Sequence, residues 1–419
     1  MDDKDDNNDN TGLNCTMNIA TSWARHKEPD QAARIAVECL TERLTAAPHQ
    51  VIAFYTEDLD SESLRLALAL ALPQSQIHGC SSCGGFMTEE GMFEPDEEGG
   101  VLGLWGMHDE GGSFGSALAE LDDDPVAGAQ AALIEAIDVA DRAGEAPEMI
   151  WLTATPGNEE RIIEGLQQLV GTNIPIQGGS AGDNQVSGNW SIFSQSQCST
   201  QGVAVTVMYP GGRLSPIFHN GYSPTSHQAT ITRADDRVLY ELDGEPAAEV
   251  YNRWTGGAIG DFLESGGNVL GSTTLFPLGR EVDQIDNQVY YNLSHPETVT
   301  DDGALTLFSS VEEGEQLVLL EGSVSSLIKR AGRVAASAME VGNITGSELA
   351  GGLAIYCAGC RLTVGDTMDS VVTSIQQATS GKPFIGGFTF GEQGCFLNGD
   401  NRHGNLMISY VAFAGNDQV

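Results

Sequence analysis

The sequence predicts a mixed α+β fold, an α/β arrangement with repeated strand-helix-strand units in mixed sheets and antiparallel additions. Three observations carry that expectation. Short apolar runs of buried-strand type alternate with segments of helical period, their order recurs three times, and the stretches between alternate as antiparallel strands do.

The first unit reads Val51 to Thr56 as a strand, Ser61 to Leu72 as a leucine- and alanine-rich helix, and Gln76 to Cys80 as a second strand. The same order returns at Met149 to Thr153, Glu159 to Val170 and Ile174 to Gly179, and again at Leu353 to Cys357, Asp366 to Ala378 and Pro383 to Gly387. About 25 to 30 residues separate the two strand starts of each unit, the length of a βαβ crossover, so the two strands of each unit should be parallel. Each second strand runs into a turn of small residues: Cys80 to Gly85, Gly178 to Asp183 and Gly386 to Glu392. Parallel strands place such turns on one sheet edge, where open α/β sheets take their ligands.

Around the units, Cys15 to Ala24 alternates loosely as a strand and Asp30 to Ala46 has an amphipathic helical spacing. Gly100 to Met107 and Ser113 to Ala119 read as paired strands, and Pro125 to Arg142 as a helix. Trp190 to Ser194, Val203 to Tyr209, Ile217 to Tyr222 and Ala229 to Arg233 read as a four-stranded meander, with a boundary at the Pro-Gly-Gly turn near Gly211 to Pro216. Val289 to Leu293, Leu305 to Phe308 and Gln316 to Leu320 are further strands, followed by a helix from Ser323 to Met339. The expected division is a disordered acidic tail over 1–14, one region over 15–212 and a second over 213–415.

Composition narrows the function classes. With 19 Lys plus Arg against 59 Asp plus Glu and a net charge of −40, the chain lacks the basic face that nucleic acid or an anionic membrane requires. The first ten residues have neither the basic nor the apolar region of a signal peptide, and no run approaches the roughly 18 apolar residues of a membrane span. A cytoplasmic location without membrane insertion is expected. Eight cysteines in such a chain point to free thiols, metal ligands or redox groups before disulfides.

Several residue types at these turns suit chemistry. His78 and Cys80 stand two apart on a strand, hence on one face, and Cys83 returns through the turn. They make three ligands for a soft or borderline metal such as an iron-sulfur or zinc site, with Cys357, Cys360 or Cys395 to complete the set. A thiol switch and purely structural cysteines are the alternatives. Neither Cys-x-x-Cys pair precedes a histidine, so covalent c-type haem is excluded; for non-covalent haem, His219 is the axial candidate, with His403 and His78 behind it. Backbone N–H groups of Gly178 to Asp183 can form an anion nest. Asp183 and Glu392 end two equivalent turns, where they can bind an ammonium group or orient Arg361. That arginine suits a ligand carboxylate or a surface ion pair. A serine hydrolase at Ser180 or a cysteine hydrolase at Cys80 is the weaker alternative, because the nucleophile elbow needs a helix directly after Ser180 and a neighbour two along a strand is poorly aimed as a base.

The pieces Gly79-Cys-Ser-Ser82, Gly178-Gly-Ser-Ala-Gly-Asp183, Leu242-Asp-Gly-Glu-Pro-Ala-Ala-Glu249, Cys357-Ala-Gly-Cys-Arg361 and Gly386-Gly-Phe-Thr-Phe-Gly-Glu392 occur in an order that resembles FIST proteins, from about Asn18 to Ala414. The resemblance implies a FIST N-like region and a FIST C-like region in a bacterial sensory protein that binds a small molecule. The partner would be a signalling protein such as a histidine kinase or a cyclic-nucleotide enzyme. One branch of such proteins is described as haem-binding nitric oxide sensors acting on a histidine kinase. The stand-alone form fits, because no length past Ala414 remains for a kinase, cyclase or chemoreceptor domain. Cys83 and Cys360 depart from the usual pattern, which favours metal or thiol chemistry at those positions. The expected role is a non-enzymatic sensor acting by population shift, with Cys80, Ser81, Gly179, Ser180, Asp183, Arg361 and Glu392 contacting the ligand in one shared pocket.

Overall fold

A computed structural model describes residues 17–285 and 288–415; the tail 1–14 and Cys15 lie outside the described residues. All three strand-helix-strand units are present. Gln50–Tyr55 lies parallel to Gln76–Ser81, Met149–Ala154 parallel to Ile176–Ser180, and Leu349–Cys357 parallel to Phe384–Thr389. The crossover helices are Ser61–Ala71, Glu159–Val170 and Asp369–Thr379.

The repetition extends beyond these units. Each first strand is also paired antiparallel with a long later strand: Gly100–Asp109, Gly202–Tyr209 and Met407–Ala414. Each long strand in turn carries an outer strand: Met17–His26, Ser113–Glu120 and Arg213–Asn220. Three repeats follow, over 17–109, 113–209 and 213–414, the third interrupted by residues 223–321. That insertion folds into its own nine-stranded antiparallel sheet around Leu239, Tyr251, Leu278 and Leu317.

Each repeat lends a hairpin to another repeat's sheet. The hairpin of Phe86–Thr88 and Gly91–Phe93 joins the third sheet beside Phe384–Thr389. Ile192–Ser194 with Cys198–Ser199 joins the first sheet beside Gln76–Ser81, and Glu392–Cys395 with Asn401–Gly404 joins the second beside Ile176–Ser180. The exchange is cyclic, so the three sheets close around one centre.

Alternation along the strands shows how the layers form. Val51, Ala53 and Tyr55 face outward, with Leu64 and Leu68 of helix Ser61–Ala71 and with Leu40 of helix Pro29–Arg43. Ile52 and Phe54 face inward, where they share a core with Trp151 of the second sheet and Leu353 and Ile355 of the third. Because both faces are covered, these strands read as continuous apolar runs.

Three sequence expectations are corrected. Gly100–Asp109 and Ser113–Glu120 follow each other in the chain but belong to different sheets, because each pairs with strands of its own repeat. The four-stranded meander does not exist as one sheet. Ile192–Ser194, Gly202–Tyr209, Arg213–Asn220 and Ser223–Asp235 fall in four separate sheets, since the chain passes from hairpin to long strand to the next repeat. A short helix, Ala358–Val364, also starts directly after Cys357, where a strand-end loop was expected. Among the described residues no helix is long and apolar enough to cross a membrane.

Candidate functional site

The three strand-end turns meet at the centre. The N–H of Gly182 donates to the carbonyl of Ser81, that of Phe390 to Ser180, and that of Cys83 to Phe388, each at 3.0 Å. Ser81, Ser180 and Phe388 are thus equivalent positions, and the turns form a closed ring of backbone hydrogen bonds. Close approach requires glycine here. A Cβ on Gly179 would lie 2.5 Å from Thr389, and one on Gly84, whose φ is +66°, would lie 2.8 Å from the Arg361 guanidinium.

Most residues expected to bind a ligand are spent on holding this ring. Ser81 Oγ accepts the N–H of Ser191 at 3.0 Å. The Asp183 carboxylate accepts N–H groups of Gln185, Ser187, Gly188 and Asn189 at 2.7 to 3.0 Å. Burial alone would raise the Asp183 carboxyl, but these donors outweigh it and hold it below the ordinary range. Arg361 donates to the Gly84 carbonyl at 2.9 Å and pairs with Glu94 at 2.5 Å, so its guanidinium clamps the first turn.

Ser180 Oγ donates to Glu159 Oε1 at 2.8 Å and accepts from Gln393 at 3.1 Å, fully buried. No histidine contacts it. His403 stands behind Gln393, at 3.2 Å from its amide, and beside Glu159. The His78 ring bridges Thr206 and Thr153 at 2.8 and 2.7 Å and does not touch Cys80; burial lowers the ring to about 3 and raises the Cys80 thiol to about 12. Neither residue has the exposed nucleophile-base geometry of a hydrolase.

The metal and haem candidates were tested on the same geometry. Among the described residues, no group of three or more clustered donors contains a cysteine, so His78, Cys80, Cys83, Cys357, Cys360 and Cys395 do not fit one iron-sulfur or zinc set as they stand. The group that does cluster, Glu159, Glu160 and His403, already holds a cation: Arg237 pairs with Glu159 at 2.7 Å and with Glu160 at 2.6 Å. His219 stands beside Arg330 and Arg333 in a cavity with polar and cationic walls, which does not fit the apolar slot of a porphyrin.

One apolar cavity opens beside the ring, at the carboxyl ends of Leu349–Cys357 and Phe384–Thr389. It measures about 350 Å³, within the range of small-molecule sites, and its walls include Leu270, Phe308, Cys357, Leu362, Thr389 and Phe390. Its polar side is uncharged. Burial lowers the His295 ring to about 4, leaving it neutral, and the Cys357 thiol is raised far above its ordinary value by its hydrogen bond with Cys360 and by burial. Behind Thr389, Glu392 is wholly buried; it accepts the Thr389 hydroxyl at 3.0 Å and the Met407 N–H at 2.9 Å, and burial pushes its carboxyl well above the ordinary range. Asn405 accepts the His295 N–H at 3.3 Å through Oδ1, while its Nδ2 is buried without a partner. A buried unpaired amide donor is costly, and a ligand acceptor at this wall removes the cost.

Of the residues named from sequence, Cys357 lines this cavity and Glu392 backs it; His295, Asn405, Thr274 and Phe308 were missed. His295 is the single residue between strands Gln288–Ser294 and Pro296–Val299, and Asn405 precedes a left-handed residue, Leu406 at φ +56°. No spacing rule joins positions so far apart.

Fold and cavity together define a mixed α+β protein with an apolar small-molecule pocket at parallel strand ends. The FIST N domain description matches residues 49–245 and the FIST C domain description matches residues 247–395, and the chain belongs to the FIST family. FIST domains are sensory domains that bind small ligands in signalling proteins. The chain is also similar to the uncharacterized protein MJ1623 of Methanocaldococcus jannaschii, 35% identical over 103 residues that make up 22% of this chain and 18% of that protein. It therefore spans less than a fifth of that relative's length. Cyanuric acid hydrolase from A. caulinodans matches over 58% of this chain and 91% of its own, with 9% identity and a TM-score of 0.28. A second cyanuric acid hydrolase structure matches over 95% of this chain and 100% of its own, with 8% identity and a TM-score of 0.34. Likenesses this weak carry no conclusion about activity.

Proposed function

We propose that the chain is a cytoplasmic sensor whose small-molecule ligand occupies the cavity between Cys357, His295 and Leu270, and whose state is read by a separate signalling protein such as a histidine kinase. The observation that carries the reading is the unpartnered Asn405 Nδ2 in an apolar cavity of about 350 Å³. The wall chemistry selects the ligand class: a small, mainly apolar, uncharged molecule with one hydrogen-bond acceptor. A charged ligand would meet a neutral imidazole and a thiol, neither of which offsets its desolvation.

The population-shift mechanism follows from the position of the cavity. Thr389 and Phe390 line it and belong to the hydrogen-bonded ring, so a ligand that prefers one arrangement of that turn biases all three repeats. A thermal-shift screen with small neutral carbonyl compounds tests this reading. Gly271 lines the cavity and a Cβ there has no neighbour within 4 Å, so Gly271→Phe adds bulk at the cavity wall without backbone strain at its attachment. Hits that stabilise the native chain should lose their effect in Gly271→Phe; hits that act equally on both would place the site elsewhere.

A further inference from the structure

We infer that a second site, between strand Arg213–Asn220 and helix Val324–Val341, binds a small oxyanion carrying phosphate or carboxylate groups through Arg330 and Arg333. This cavity measures about 470 Å³ and is lined by His219, Tyr222, Ser223, Tyr291, Arg330 and Arg333 among others, with no carboxylate among the described residues of its wall. In a chain with 59 acidic residues, that composition is unexpected.

The arginines make the case. Every other arginine among the described residues has a carboxylate partner. Arg330 and Arg333 have none among the described residues; the charges that act on Arg330 are those of Arg333 and the Tyr290 hydroxyl, and its Nε is buried without a hydrogen bond. Two like charges held together with no counter-charge repel, and the repulsion persists only if something else holds them. The stem of Arg330 runs beside Gly221, where a Cβ would sit only 3.4 and 3.5 Å from the Arg330 Cβ and Cγ, so the glycine leaves that space to the arginine.

His219 adds a directed donor. The N–H of Asn220 donates to His219 Nδ1 at 2.7 Å, a shorter contact than the 3.1 Å from the same atom to the Asn220 carbonyl; with Nδ1 accepting, the ring proton sits on Nε2, which is buried without a partner. The Tyr290 ring packs against the imidazole at 5.0 Å between centroids. Two guanidiniums and one imidazole N–H with no acceptor match the oxygens of a phosphate or carboxylate, which Arg engages in bidentate fashion. The anion cavity and the apolar one share a partition. Tyr222 lines the first, and its hydroxyl donates at 2.8 Å to the carbonyl of Thr274, a wall residue of the second.

The test uses the full chain, with inorganic phosphate and succinate as probes in thermal-shift and calorimetric titrations. Sodium chloride at matched ionic strength is the control, because any salt relieves self-repulsion at a net charge of −40. Phosphate or succinate should stabilise beyond the chloride control; which of the two does so identifies the ligand group. Arg330→Gln and Arg333→Gln should each weaken that binding on the order of tenfold, the loss of one charged hydrogen-bonding partner. Arg333 is exposed, so its variant folds even if the Arg330 variant does not. The His219 imidazole NMR signals should move with the anion and not with chloride, and Gly271→Phe should leave anion binding intact. Stabilisation that chloride reproduces, no binding of either probe, or binding undiminished in Arg333→Gln would overturn the assignment.

Discussion

At the residue scale, two buried carboxyls with opposite electrostatics serve one ring. Asp183 is ionised and organises residues 184–189 through backbone donors. Asp183→Ala should cost about 1.5 to 3 kcal/mol in urea unfolding, the range for hydrogen bonds to a charged group. Because its folded carboxyl titrates below the unfolded one near 3.9, its contribution is complete above that value and fades as pH falls through the lower folded one. Glu392 behaves oppositely. Its folded carboxyl titrates well above the unfolded one near 4.3, so its contribution is full below that pH and declines as pH rises toward the folded value. Glu392→Gln should therefore flatten the fall in stability as pH rises above the unfolded value near 4.3. An unchanged slope would mean that Glu392 is ionised in the fold.

At the element scale, the inserted antiparallel sheet is fastened to the second repeat by one cation. Arg237, in the turn between Ser223–Asp235 and Val238–Leu242, pairs with Glu159 and Glu160 at the start of helix Glu159–Val170. Burial opposes ionisation of Glu160, yet His403 and Arg237 hold its carboxyl at about 2. Arg237→Ala leaves two largely buried carboxylates without their cation and should destabilise by about 3 to 5 kcal/mol in chemical denaturation. A change under about 1 kcal/mol would mean the pair is solvated.

The same scale shows what was legible. The parallel strands were readable because burial on both faces leaves an unbroken apolar run, as at Gln50–Tyr55. Antiparallel partners were not, because local alternation says that Gly100–Asp109 is a strand but not which strand it meets. The cavity was half legible: Cys357 and Glu392 sit on repeated turns, whereas His295 reaches it from the inserted segment and Asn405 from just past the hairpin that the third repeat lends to the second sheet.

At the scale of the whole molecule, the cyclic exchange of hairpins makes the repeats interdependent. Phe86–Thr88 completes the sheet of 349–414, and Glu392–Cys395 completes the sheet of 113–209. Fragments 1–212 and 213–419 expressed separately should fail to give cooperative unfolding transitions, and co-expressed they should assemble. Two independently folded halves would contradict the closed ring. The central claim, that a ligand seats beside Cys357 and acts through the ring, is tested most directly by methyl NMR of the full chain titrated with a stabilising neutral hit. The account predicts shifts at Ala358, Leu362 and Thr389, spreading to the Ala181 methyl across the ring; shifts confined to Val289 in the anion cavity, or absent from all four methyls, would contradict it.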